Sequence, residues 1–132
     1  MRHPKLLKLE RHLKTMFDSI DDELEKVFGE LYPLHPARAE RGETSNKEHD
    51  GLFNIGADFS AGYGSALGRG YIVDISMVTL SDINPDKKAE IEGFVMRLLK
   101  KKLPEYFPKR SLEVKRDGAL IKIIGDFSLG SL

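Results

Sequence analysis

From Leu6 to Leu31 the large apolar residues return at a mean spacing close to 3.6: Leu6, Leu9, Leu13, Met16 with Phe17, Ile20, Leu24, Val27 with Phe28, and Leu31. That period lines one face of an α-helix. Pro4 stands in the first turn, where proline is tolerated, and Gly29, Pro33 and Pro36 mark the exit, so the spacing predicts a helix over 4–31. At 1.5 Å per residue such a rod measures about 40 Å. A chain of 132 residues forms one domain and buries roughly two-thirds of the surface its unfolded form exposes. A rod this long either lays its stripe across its own sheet or projects past its core, and an apolar stripe without a cover is an aggregation liability. The expectation drawn is a homo-oligomer, with Leu6, Leu9, Leu13, Phe17 and Leu24 partly buried between copies.

Composition narrows the chemistry. The chain has no cysteine, which excludes a disulfide framework, a thiolate metal site and a cysteine nucleophile. Charge interrupts every apolar run near the start, "MRHPKLLKLERHLK", so neither a secretory segment nor a membrane span is expected and the protein is placed in the cytoplasm. Glutamine is absent too, asparagine occurs only at Asn46, Asn54 and Asn84, and charged residues reach 32% against about 25% in an ordinary soluble domain. Heat selects for that bias, because amides degrade and ion-pair networks gain relative value, so a thermophilic source is expected.

Residues 33–50, "PLHPARAERGETSNKEHD", hold almost no large apolar side chain after Leu34 and read as a mobile connection between the helix, 1–32, and a ββαββ core, 51–132. His35 and His49 lie at its ends near Glu43, Glu48 and Asp50, but their spacing matches no metal motif with a mechanism behind it. Neither a metal nor a cofactor is expected.

Two alternating stretches follow, "LFNIGADFSA" and "YIVDISM", with Phe53, Ile55, Ala57, Phe59, Tyr71, Val73, Ile75 and Met77 on one side. They flank Gly62, Gly64, Gly68 and Gly70. A Walker loop needs glycines five apart followed by Lys and Ser or Thr, and a dinucleotide fingerprint needs glycine where Leu67 stands. Both must also open a helix, whereas a strand follows here. The glycines are therefore assigned to a hairpin loop, which with Arg69 has the means to hold an anion on backbone N–H groups. Parity limits the pairing sum of the hairpin to 130 or 132. In the favoured register, 130, Asp58 faces Ile72; in the other it faces Asp74, the nearest approach to a catalytic or metal-binding carboxylate pair.

"SDINPDKKAEIEGFVMRLLKKKLPEYF" supplies Asn84 as N-cap and Pro85 at the first helical position, predicting a second helix over 85–102 that Pro104 stops. Asp117-Gly118 then suggests a type I′ turn that sets Arg116 against Ala119, Val114 against Ile121 and Glu113 against Lys122. The expected fold is α+β, in the order α-ββ-α-ββ, with a four-stranded, mainly antiparallel sheet and the helices on one face.

The formal net charge is zero, yet charge is unevenly placed. Residues 97–116 carry Arg97, Lys100, Lys101, Lys102, Lys109, Arg110, Lys115 and Arg116 against Glu105 and Glu113, whereas 18–30 are acidic. A small self-associating assembly module without catalytic activity is the first reading. The second is an RNA- or anion-binding module using Arg69, Arg97, Lys100, Lys101, Tyr106, Lys109 and Arg110, since basic groups track phosphates and an aromatic ring stacks on bases. An enzyme with a carboxylate or metal site at Asp58 and Asp74 is the third.

Overall fold

The computed structural model describes residues 4–46, 49–64 and 66–127. Its elements are α1 (Pro4–Phe28), β1 (Phe53–Ser60), β2 (Gly70–Met77), α2 (Pro85–Tyr106), β3 (Leu112–Asp117) and β4 (Leu120–Gly125). The four strands form one antiparallel sheet in the order β1-β2-β4-β3. This is the α+β arrangement that the periodicities predict.

Helix α1 ends at Phe28, three residues earlier than its apolar spacing suggests. The chain turns there by bonding the Leu31 N–H to the Phe28 carbonyl, and Leu31 still packs on the core. Leu9, Leu13, Met16, Phe17, Ile20 and Leu24 are at most 4% exposed in a single copy. Their cover is the inner sheet face, built from Phe53, Ile55, Tyr71, Val73, Val114, Ile121 and Ile123, together with Ile91, Val95, Leu99 and Leu103 of α2. Burying side chains of this size contributes about 1.5–3 kcal/mol apiece, so α1 is a wall of its own core. The stripe assigned to a second copy thus lies within one chain, and of the five residues named for that interface only Leu6 keeps appreciable exposed area.

Asn84 caps α2 as expected, its side chain accepting from the N–H groups of Asp86 and Lys87. The helix does not stop at Pro104 but runs through it to Tyr106. Leu103 and Phe107, both buried, draw the last turn onto the core, and the Phe107 N–H closes it on the Leu103 carbonyl.

The first hairpin adopts the pairing sum of 130, so Asp58 faces Ile72 and Asp74 faces Gly56. The second hairpin is shifted by two residues from the type I′ expectation. Gly118 and Ala119, not Asp117 and Gly118, form the two-residue loop, with Gly118 at φ 62 and Arg116 paired with Ile121. Glycine at the first central position is the type II′ arrangement, which leaves Asp117 as the last paired residue of β3. The two hairpins meet along a narrow seam, where residues 71–73 pair with 121–123.

Gly62, Gly64 and Gly68 have φ between 74 and 79, and among the described residues no helix begins between them and Ile75, as a hairpin loop requires. The loop reaches Lys122, whose Nζ donates to the Gly68 carbonyl at 2.6 Å and lies 3.5 Å from Asp117, leaving this lysine 2% exposed.

Residues 33–46 and 49–50 carry little regular structure but many polar ties. Arg38 donates to the carbonyls of Asp50, Gly51 and Phe53. Arg41 lies 3.2, 2.7 and 3.1 Å from Asp21, Asp22 and Asp50. Glu25 accepts from the Phe53 N–H. Burial pushes the Asp21 carboxyl up to about 7, against the opposing pull of Arg41, and the nearby carboxylates of Glu25, Asp22 and Asp18 add to the rise. Burial raises Glu25 as well. Asp50 lies below the usual carboxylate range although burial opposes this, because Thr44 and Gly42 donate to it and Arg41 attracts it.

Two expectations follow from these contacts. An acid whose folded pKa is raised destabilises the fold as pH climbs from its ordinary value near 4 through 7, so thermal stability should fall between pH 5 and pH 8. Asp21→Asn should flatten that fall, its advantage over the unmodified chain being larger at pH 8 than at pH 5 by about 1–2 kcal/mol, in melts compared at the two pH values. Among the glycines, Ala at Gly64 or Gly68 should cost about 1 kcal/mol, since only φ is at issue. At Gly62 or Gly70 a Cβ would also fall 2.1 Å from the Gly68 backbone or 2.3 Å from the Ile123 carbonyl oxygen, and a loss of about 2 kcal/mol or more is expected on denaturant titration.

Candidate polyanion-binding surface

The amino-terminal half of α1 presents Lys8 and Arg11 three residues apart, hence on one face of the helix. The end of α2 and the turn after it bring Tyr106, Phe107, Pro108, Lys109 and Arg110 against that face. Between them lies a cleft of about 460 Å³, also lined by Leu9, His12 and Thr15, with no carboxylate in its wall among the described residues. His12 joins the two sides. Its Nε2 is hydrogen-bonded to the Tyr106 carbonyl, and its ring meets Tyr106 at 5.4 Å and Phe107 edge-on at 4.9 Å. Because a carbonyl only accepts, that bond fixes the proton on Nε2.

Arg110 is the centre of this region. It is 9% exposed, and its Nη1 donates to the Asp126 carbonyl at 2.9 Å. Its Nη2 is buried and has no hydrogen-bond partner among the described residues. A second cleft, of about 470 Å³, opens on its other side and contains Lys100, Pro104, Ser111, Leu112, Glu113 and Lys115. The two clefts share Arg110, so Lys8, Arg11, Lys109, Arg110, Lys100 and Lys115 form a basic track around the end of α2, with Glu113 its one acid among the described residues. Lys115 lies 3.9 Å from Glu113; Lys8, Arg11, Lys100, Lys109 and Arg110 form no ion pair among the described residues.

The structure thus brings Lys100, Tyr106, Lys109 and Arg110 together. Arg97 and Lys101 are exposed on α2 but line neither cleft. Arg69 lies elsewhere, in a groove with Leu6, Leu9, Glu10, Phe59, Tyr71 and Phe127. The acidic half of α1 meets the basic run through Lys102, which lies 3.1 Å from Glu23 and donates to Ser19, while Asp21 and Asp22 are turned toward Arg41, Asp18 toward Lys14 and Glu25 toward the Phe53 N–H. Lys8, Arg11 and His12 were not singled out in the sequence. Their signal is the basic face at Lys5, Lys8 and Arg11, spaced by three, overshadowed there by the apolar stripe. Asp58 and Asp74 sit two positions out of register, and no group of three or more His, Asp or Glu side chains is placed to hold a metal among the described residues.

No described helix is long and apolar enough to cross a membrane. A protein-family profile described as "Uncharacterised protein" matches residues 4–125. The chain is 37% identical over 108 residues to an uncharacterized protein of Borreliella burgdorferi, covering 82% of this chain and 84% of that one. No solved structure matches it.

Proposed function

We propose that this chain, which belongs to that family of uncharacterised proteins, is a polyanion-binding module whose partner is RNA. The observation that carries the reading is the junction of the two clefts at Arg110, which among the described residues collects six Lys and Arg side chains against one Glu in a chain of zero net charge. Neutralising phosphates with such a track releases counterions, and that release supplies most sequence-independent affinity. Tyr106 adds an aromatic face within the track for a base to stack on. Arg97 and Lys101 extend the positive field along α2, whereas Arg69 and the glycine loop stand apart from it.

Anisotropy titrations of a fluorescent single-stranded RNA should show affinity falling steeply with salt, with a log-log slope of about −0.7 per phosphate contacted. Lys8→Gln, Lys100→Gln and Lys109→Gln should each lower the slope by roughly one contact and leave the melting temperature nearly unchanged. No detectable binding at about 50 mM salt, where such contacts are strong, ends this reading.

Self-association is a second reading, supported by a different observation. Strand β1 is at the edge of the sheet, and the Val78 N–H bonds the Leu52 carbonyl just before it. Antiparallel alternation then turns the backbone groups of Ile55, Ala57 and Phe59 away from β2, and Phe59 is 58% exposed at the end of that edge. With the α1 stripe already covered, this edge is the surface a second copy would use. Light scattering at micromolar concentration is expected to give twice the monomer mass, reduced to the monomer by Phe59→Asp; a monomer mass for the unmodified chain removes this reading.

A further inference from the structure

We propose that the cleft bounded by Lys8, Arg11, His12, Tyr106 and Lys109 is a receptor for a phosphate monoester at the end of a nucleic-acid strand, with Arg110 at its base. The proposal rests on the polyanion reading and makes one point of the track its specific site.

Three observations carry it. First, Arg110 is nine-tenths buried, yet its Nη2 has no hydrogen-bond partner and no carboxylate among the described residues pairs with it. A buried guanidinium is costly unless an anion and hydrogen bonds compensate, and a planar fork of donors matches phosphate oxygens. Second, Lys8, Arg11 and Lys109 bring three further cations to the same cleft, and none of them forms an ion pair among the described residues. Among the described residues the wall contains no acid that would repel a dianion. Third, the space of about 460 Å³ lies within the range of small-ligand sites and exceeds what a phosphate alone needs, so the terminal nucleoside has room against Tyr106 and Pro108.

The placement of the charges favours a strand end over a passing phosphodiester. A monoester carries a charge of about −1.5 to −2 on three terminal oxygens and is tethered by a single arm. It can enter a recess oxygens first and set them against a base that is only 9% exposed. A diester carries a single charge and has a tether on each side, which holds it at the rim. The second cleft, with Lys100 and Lys115 beside Glu113, suits the internal phosphates that follow.

The test compares one short single-stranded RNA in three forms: 5′-phosphorylated, 3′-phosphorylated and lacking any terminal phosphate. At about 150 mM salt, where outer contacts are screened, one phosphorylated form should bind roughly tenfold more tightly than the unphosphorylated strand, the worth of about one additional charge-assisted hydrogen bond. A nucleoside monophosphate should compete with that preference more strongly than inorganic phosphate. Arg110→Gln should abolish the preference, its folding checked by circular dichroism. Because Arg110 also ties down the Asp126 carbonyl, Arg11→Gln and Lys109→Gln provide the second arm: both are exposed, and both should erase most of the discrimination while the strand lacking a terminal phosphate still binds. Equal affinity for all three forms with a steep salt dependence overturns the receptor and leaves the polyanion track standing. Failure of every form to bind at low salt overturns both.

Discussion

The burial of one helical stripe organises this protein. Residues Leu9 to Leu24 of α1 are sealed by the sheet and α2 of the same chain, so the helix cannot rotate about its axis without exposing leucine or phenylalanine. That constraint fixes where the polar faces point. Lys8 and Arg11 are set against the end of α2, and Asp21, Asp22 and Glu25 against the segment that leads into β1. The apolar stripe thereby sorts the charges of α1 into a basic end and an acidic end and hands each to a different neighbour. A chain of zero net charge can therefore carry a concentrated positive surface, because Asp21 and Asp22 of this helix are turned toward Arg41 and Glu25 toward the Phe53 N–H, away from that surface.

Much of the architecture was legible because it depends on local periodicity. The 3.6-residue spacing of α1, the Asn84-Pro85 start of α2 and the alternation through 53–77 each specify an element without reference to the rest of the chain. Local rules failed where tertiary packing overrode them. Pro104 read as a stop, but one more turn buries Leu103 and Phe107, and proline in the last turn forfeits a single hydrogen bond. Asp117-Gly118 read as a type I′ turn, yet the pairing moved by two so that glycine alone takes the positive φ.

The candidate site was only half legible, for a related reason. A run such as Lys100, Lys101, Lys109 and Arg110 is visible as composition, but a cleft needs two walls, and the second comes from residues some ninety positions earlier. Nothing local links Lys8 or Arg11 to Arg110. Nor does the sequence distinguish Arg110 from Lys109 beside it; burial does, leaving one at the base of the cleft and the other at its rim. The same difference separates Lys122 from the other lysines, since the carbonyl of Gly68 that accepts from it lies in a loop fifty-four residues away.

The seam between β2 and β4 divides the molecule into two like halves, each a helix followed by a hairpin, with only residues 71–73 and 121–123 paired across it. At its margin Gly70 brings the backbone so close to Ile123 that the approach admits a hydrogen atom and nothing larger. Each hairpin carries its own ladder, so breaking those few inter-half bonds leaves both ladders intact. What holds the halves together is therefore not this thin pairing but the apolar core that α1 and α2 share across it, so the amide protons at 71–73 and 121–123 exchange only when that core opens.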